Sequence, residues 1–233
     1  MARIGLAMAG ISALAVLTAC GGSDFADESA DTIITASKDD MGDLEAVKVS
    51  GDITTDGQAV SIDMQANSDG DCTGSIGVGD GIAELLGVAG ETWMRPDEAF
   101  WRSFGGDAAD QVIAVVGDKW VVVPEDQESL TQFCDVDELL DQLLEDDDED
   151  KPTYTNKGAD ALDGDDVVKI ESEDPEEGTS TGYVLVGEPH YLVKIEDTEG
   201  EDTGTITFSA FDEEFEVNPP ADDEVVDLNN LAG

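Results

Sequence analysis

The strongest constraint on the fold of this chain is an alternation of apolar and polar residues that returns in run after run. Val47 and Val49, then Ile53 across Gly51, are followed by Val60, Ile62 and Met64, with Thr55-Asp56-Gly57 between the two runs. An Asp-Gly step between segments of period two signals a hairpin, because the tight turn needs positive φ at its central residues. Residues 72–78 and 82–88 continue the pattern around Gly79-Asp80-Gly81, and residues 91–95 follow Gly90. Residues 120–123 read as a strand stopped by Pro124. Later runs at 167–170, 183–186, 191–195 and 206–211 alternate again, with a turn at 187–190, and Pro219 and Pro220 end the sheet before a short acidic tail. Strands of this kind build an antiparallel sheet with one covered and one solvated face.

Helical spacing is rarer. Ile33, Ile34, Ser37 and Met41 recur at helical intervals over residues 29–42, with Ser29 or Asp31 as N-cap and Gly42 closing. Asp107 is placed to cap a short helix around the apolar stretch 112–116, which Gly117 ends. The clearest helix begins at Asp135, with Glu138 three residues on and Val136, Leu139, Leu140, Leu143 and Leu144 along one stripe.

The chain opens like an exported protein. Arg3 supplies the positive start, and the apolar stretch 4–17, broken by Gly5, Gly10 and Ser12, is too short for a membrane-spanning helix. Leu17-Thr18-Ala19-Cys20 resembles the lipobox of bacterial lipoproteins. That resemblance implies removal of residues 1–19 and a diacylglycerol on the Cys20 thiol. Residues 20–28 then read as the acylated cysteine and a flexible tether. Two cysteines remain, and an oxidising location makes a disulfide between Cys72 and Cys134 the expectation, ahead of a redox or metal-binding pair that would want a CxxC spacing.

Composition narrows the partners. The 233 residues carry 57 Asp or Glu against 10 Lys or Arg, a formal charge of −47. Loss of Arg3 makes it −47 − 1 = −48. Nucleic acid is excluded as a partner, because no cations cluster to neutralise phosphates, and polybasic attachment to anionic lipid is excluded likewise. Attachment must come from acyl chains, each buried methylene contributing roughly 0.8 kcal/mol. The acidic surplus resembles that of halophilic proteins. Raising sodium chloride from dilute to molar should therefore raise the melting temperature by screening self-repulsion, and a melting temperature indifferent to salt would refute this.

The chain resembles the actinobacterial lipoproteins with a LolA-like half-barrel, the group that contains the mycobacterial lipid-carrying lipoprotein antigens. The carriers are the lipobox, Cys72-Thr73-Gly74, Trp93-Met94-Arg95 with Phe100-Trp101 beyond, Lys119-Trp120 up to Pro124, Cys134-Asp135 before the leucine helix, and Gly204-Thr205-Ile206-Thr207-Phe208-Ser209 leading to Pro219. The resemblance implies an α+β fold over residues 29–228, a strongly curved antiparallel sheet whose concave face is covered by helices, followed by a tail at 229–233. It implies a hydrophobic cavity between sheet and helices that accepts acyl chains in several members.

Trp93, Phe100, Trp101, Trp120, Leu139, Leu140 and Leu143 are the candidate lining of such a cavity, and ordinary core packing is the competing reading of the same residues. The acidic run 145–150 offers hard oxygen ligands, yet no EF-hand register surrounds Gly70 or Gly164, so a solvated loop is the reading preferred over a calcium site. His190, the single histidine, sits in a turn beside Pro189 and reads as a surface residue. No catalytic residue, metal or cofactor is assigned. The expectation is a non-enzymatic lipoprotein on the extracytoplasmic face of the cell membrane, binding or carrying an apolar ligand; the alternative is an envelope lipoprotein with a filled core and a structural or protein-binding role. An envelope hydrolase would need convergent polar groups that the sequence does not display.

Overall fold

The computed structural model describes residues 23–55, 57–124, 127–144, 152–174, 178–199 and 203–228. Cys20 and the acidic run 145–150 lie outside them. The elements in chain order are α1 (Ser23–Ala26), α2 (Ala30–Gly42), β1 (Ala46–Thr55), β2 (Gln58–Asn67), β3 (Cys72–Val78), β4 (Gly81–Val88) and β5 (Glu91–Pro96), then α3 (Glu98–Gly105), α4 (Ala109–Val116), β6 (Trp120–Val122), α5 (Glu128–Thr131) and α6 (Val136–Leu144). The second half is β7 (Thr153–Leu162), β8 (Asp165–Asp174), β9 (Gly178–Leu185), β10 (Leu192–Glu199), β11 (Thr203–Ser209) and β12 (Val225–Val226). All twelve strands form one unclosed sheet in the order β12-β6-β5-β4-β3-β2-β1-β11-β10-β9-β8-β7. Two runs of hairpins thus meet where β1 pairs with β11.

The hairpin at 55–58 and the alternating runs fold as their pattern predicts, and capping sets the helix starts. The Ser29 side chain accepts from the Thr32 amide at 3.2 Å and opens α2. Asp135 Oδ1 accepts from the amides of Asp137 at 3.0 Å and Glu138 at 3.1 Å, opening α6. Each cap satisfies amides that the first helical turn leaves unpaired.

Four expectations are corrected. Asp107 is not the N-cap residue of α4: its backbone lies in a 3-10 turn, and Ala108 holds the N-cap position before α4 starts at Ala109. A helix stands before it that the apolar spacing did not announce. Asp97 Oδ1 accepts from the Phe100 amide at 2.7 Å, so α3 is a capped helix of eight residues. Pro219 and Pro220 do not end the sheet, because β12 returns to pair with β6 in parallel, Val225 opposite Trp120. Lys119 Nζ donates to the Asp223 carbonyl at 2.8 Å and ties that return down. The sheet is therefore mostly antiparallel rather than wholly so. Finally, residues 23–28 are not a free tether: α1 is docked, as described below.

Strand β7 carries no apolar alternation. Its sequence TYTNKGADAL is largely polar, as suits an edge strand paired only with β8. A register shift between Asn156 and Gly158 bends it, and with Lys157 and Asp160 it discourages pairing with another chain.

Two apolar clusters lie on one face of the sheet, and α2 joins them. Ile33 packs with Ala26, Val168, Ile170, Val184 and Val186. Met41, two turns on, packs with Val47, Val49, Met64, Leu85, Phe208 and the α6 residues Val136, Leu139 and Leu140. The Cys72–Cys134 disulfide joins the start of β3 to the residue before the α6 cap across a separation of 62 residues. Gly87 on β4 faces it, and a Cβ there would stand 2.9 Å from both sulfurs, so the absence of a side chain gives the bridge its room.

Candidate functional site

Strand register sorts the inner face, the one beneath α2 and α6, into rows. One row runs Phe208, Val49, Met64, Gly74, Leu85, Met94, and Phe208, Val49, Met64 and Leu85 in it are buried. The next runs Ile195, Ile206, Gly51, Ile62, Ile76, Ala83. The third holds Gly204, Ile53, Val60, Val78 and Gly81. Cover weakens along this progression. Ile195, Ile206, Ile62, Ile53, Val60 and Val78 are all half-exposed, although Ile62, Val78, Ile195 and Ile206 also pack against the main cluster. The result is an apolar strip across β10, β11, β1, β2 and β3, with α6 along its covered side. Gly51 forms its floor: a Cβ there would meet the Thr205 carbonyl oxygen at 2.1 Å, so the strands approach as closely as only glycine permits.

Of the six predicted cavity residues whose side chains are described, only some lie beside this strip. Leu139 and Leu140 are 0% and 5% exposed inside the main cluster, and of Leu143 only the backbone on α6 is described. Phe100 is buried on α3 and lies over the β4 end of the third row, where a Cβ on Gly81 would come within 2.4 Å of the Phe100 amide. Trp101 follows on α3, half-buried, its indole Nε1 buried without a hydrogen-bond partner. Trp93 and Trp120 belong to the other face. Leu85, Met94 and Val121 point inward, and strict alternation turns Trp93, Arg95 and Trp120 outward. The Arg95 guanidinium confirms this, standing 4.6 Å over the Trp120 ring and pairing with Glu84.

What sequence reasoning missed was the isoleucine and valine strip. Its signal was available in the same alternation, but which alternating residues a helix leaves uncovered depends on where the helices dock.

The outer face is apolar around Trp93, which is buried beside Leu86 and Val122, and polar along the row that crosses the sheet from β10. Lys194, Thr207, Ser50, Asp63, Ser75, Glu84 and Arg95 share one cross-strand row, and Lys48 pairs with Asp63 at 3.0 Å. Tyr183 donates to Glu196, which also receives Lys194. The Glu196 hydrogen bond, reinforced by partial burial and the carboxylate charge, pushes the Tyr183 phenol up to about 12. Lys194 and Tyr183 together hold the Glu196 carboxyl below its ordinary value. The phenol keeps its proton in the fold after an unfolded chain would lose it near pH 10. Its contribution to stability is therefore complete below pH 10 and is lost as pH rises through about 12. Ultraviolet titration should show a phenol ionising near the upper value, and Glu196→Gln should bring it down toward 10; an unchanged titration curve would contradict the coupling.

Among the described residues no group of His, Cys, Asp and Glu is arranged to hold a metal ion, and no helix is long and apolar enough to cross a membrane.

No protein-family model and no curated protein matches the chain. Among solved structures, the crystal structure of LprF from Mycobacterium bovis aligns with a TM-score of 0.57 at 17% identity, covering 82% of this chain and 97% of that one. The two proteins share a fold. The Mycobacterium tuberculosis lipoprotein LppX aligns with a TM-score of 0.49 at 15% identity over 80% of this chain and 97% of its own. A LolA superfamily protein from Nitrosomonas europaea aligns over 84% of this chain and 96% of its own, with a TM-score of 0.24 at 10% identity. The α+β fold expected from the resemblance to the mycobacterial lipoproteins is thus met, at the level of fold alone, by LprF.

Proposed function

We propose that this chain is a lipid-anchored lipoprotein of the extracytoplasmic membrane face that holds an acyl chain or another apolar ligand along the half-exposed strip of its inner face. The strip carries the reading. Six aliphatic side chains from five adjacent strands present broad apolar surface with no directional polar group among them, which suits a flexible hydrocarbon and little else. Cys20 is the anchor by its lipobox, and that anchor is what supports a location in the envelope.

Native mass spectrometry tests the ligand. Delipidated protein incubated with a membrane lipid extract should regain a discrete adduct that is released by organic solvent. Protein that stays at its bare mass would favour the second reading, a non-carrier lipoprotein, which the complete burial of Leu139 and Val136 against the sheet supports.

A further inference from the structure

The segment following Cys20 is docked into the fold, and this limits how far the domain can stand from its anchor. The Phe25 ring stacks on His190, centroids 3.6 Å apart and planes 5° from parallel. Ala26 is 5% exposed in the second cluster. Asn156 Nδ2 donates to the carbonyls of Ala26 at 2.9 Å and Glu28 at 2.8 Å, fastening the segment to β7. The leash from Cys20 to α1 is then Gly21 and Gly22 alone. Three Cα steps of 3.8 Å reach at most about 11 Å. A headgroup layer is roughly 5–8 Å deep on each side of the bilayer, so the leash is little longer than the layer it must cross.

Asn156, which holds Ala26 and Glu28, is level with Ile170, Gly182, Ile195, Ile206 and Gly51. From there the segment runs back toward its N-terminus to Phe25 at His190, nearer one end of the sheet. His190 lies in the turn before β10, and Leu192 opens that strand. Lys194 pairs with Thr207 and Thr207 with Ser50, so this turn lies at the same end of the sheet as Ala46. The hairpin that joins Thr55 to Gln58 is at the other end. Seven residues from Lys48 to Thr55 span about 23 Å at the rise of a strand. The third row of the apolar strip, with Ile53 and Val60, lies beside that far hairpin.

We propose that the domain is pressed against the headgroup surface of its own bilayer through α1 and the turn at 187–190, with the half-exposed apolar strip opening at the end of the sheet directed away from that bilayer. The occupant of this surface is the lipid headgroup layer. Exposed Asp27, Glu28 and Glu188 lie around the docked segment, so contact is enforced by the short leash rather than by charge. Ligand exchange is thereby placed on the side away from the anchoring membrane.

The proposal rests on the acylation of Cys20, and the experiment separates the two. The full chain is produced with its leader, purified and placed in phosphatidylcholine nanodiscs containing a headgroup-nitroxide lipid. Single thiols for a fluorophore are introduced by Glu188→Cys or Gln58→Cys, both at exposed positions. Intact mass first reports whether residue 20 carries diacylglycerol; an unmodified cysteine overturns the anchor and this orientation with it. With the acyl group present, the label at 188 should be quenched several-fold more than the label at 58. Insertion of ten Gly and Ser residues between Gly22 and Ser23 should remove most of that difference, since such a linker adds a root-mean-square span of roughly 16–19 Å. Equal quenching at both positions with the native leash would overturn the orientation while leaving the anchor intact.

Discussion

Replacing both Cys72 and Cys134 by serine is expected to cost about 4 kcal/mol of stability, by the chain-entropy estimate for a closed loop of this length. The bridge closes 62 residues and both half-cystines are buried, at 0% and 4% exposure. It also fixes the start of α6, because Asp135, the cap, is the next residue after Cys134. The inner cluster therefore depends on the bridge twice, through the unfolded chain and through the seating of Leu139 and Leu140. For a domain of this size the loss corresponds to a fall in melting temperature of roughly 8–16 °C. Thermal unfolding followed by circular dichroism checks it, and a double variant melting within a degree or two of the parent would show that packing alone holds α6.

Ile62→Glu should weaken binding of a fluorescent fatty acid at least about 100-fold, since a carboxylate held against hydrocarbon without a partner costs about 3 kcal/mol or more. Ile62 is central to the strip and half-exposed, so the folded state tolerates the charge when no ligand is present. The neighbouring Ser61 alternates onto the outer face, where it is registered against Asp52. Ser61→Glu adds the same charge one residue away and should leave binding unchanged. Ile206→Glu, registered beside Gly51 on the next strand, provides a second variant on the strip. Equal losses from the substitutions at 61 and 62, or none from either, would remove the strip as the binding surface. Melting curves of each variant separate lost binding from lost folding.

Part of the candidate site was legible before the fold was known, and the missing part has one cause. The stripe of Val136, Leu139 and Leu140 was readable because a helix buries residues at fixed intervals, and all three are buried. Trp93 and Trp120 carry no comparable local mark, because large aromatics in one region of sequence look alike. Their face is set by strand parity, which depends on pairing Leu86 with Trp93 and Trp93 with Val122. The docking of α1 was hidden for a similar reason. Gly-Gly-Ser followed by acids has the composition of a linker, and its contacts come from Asn156 and His190, more than a hundred residues away.

Local patterning by itself determined the strand-rich α+β class, the hairpin at 55–58, the starts of α2 and α6 and the polar exterior, because period, caps and turn residues act over a few neighbours. Only the tertiary structure decided the rest: which strands neighbour each other where β1 meets β11, the return of β12 to β6, and which apolar side chains remain half-covered on the inner face. These depend on contacts between residues far apart in the chain, whose partners no local spacing specifies.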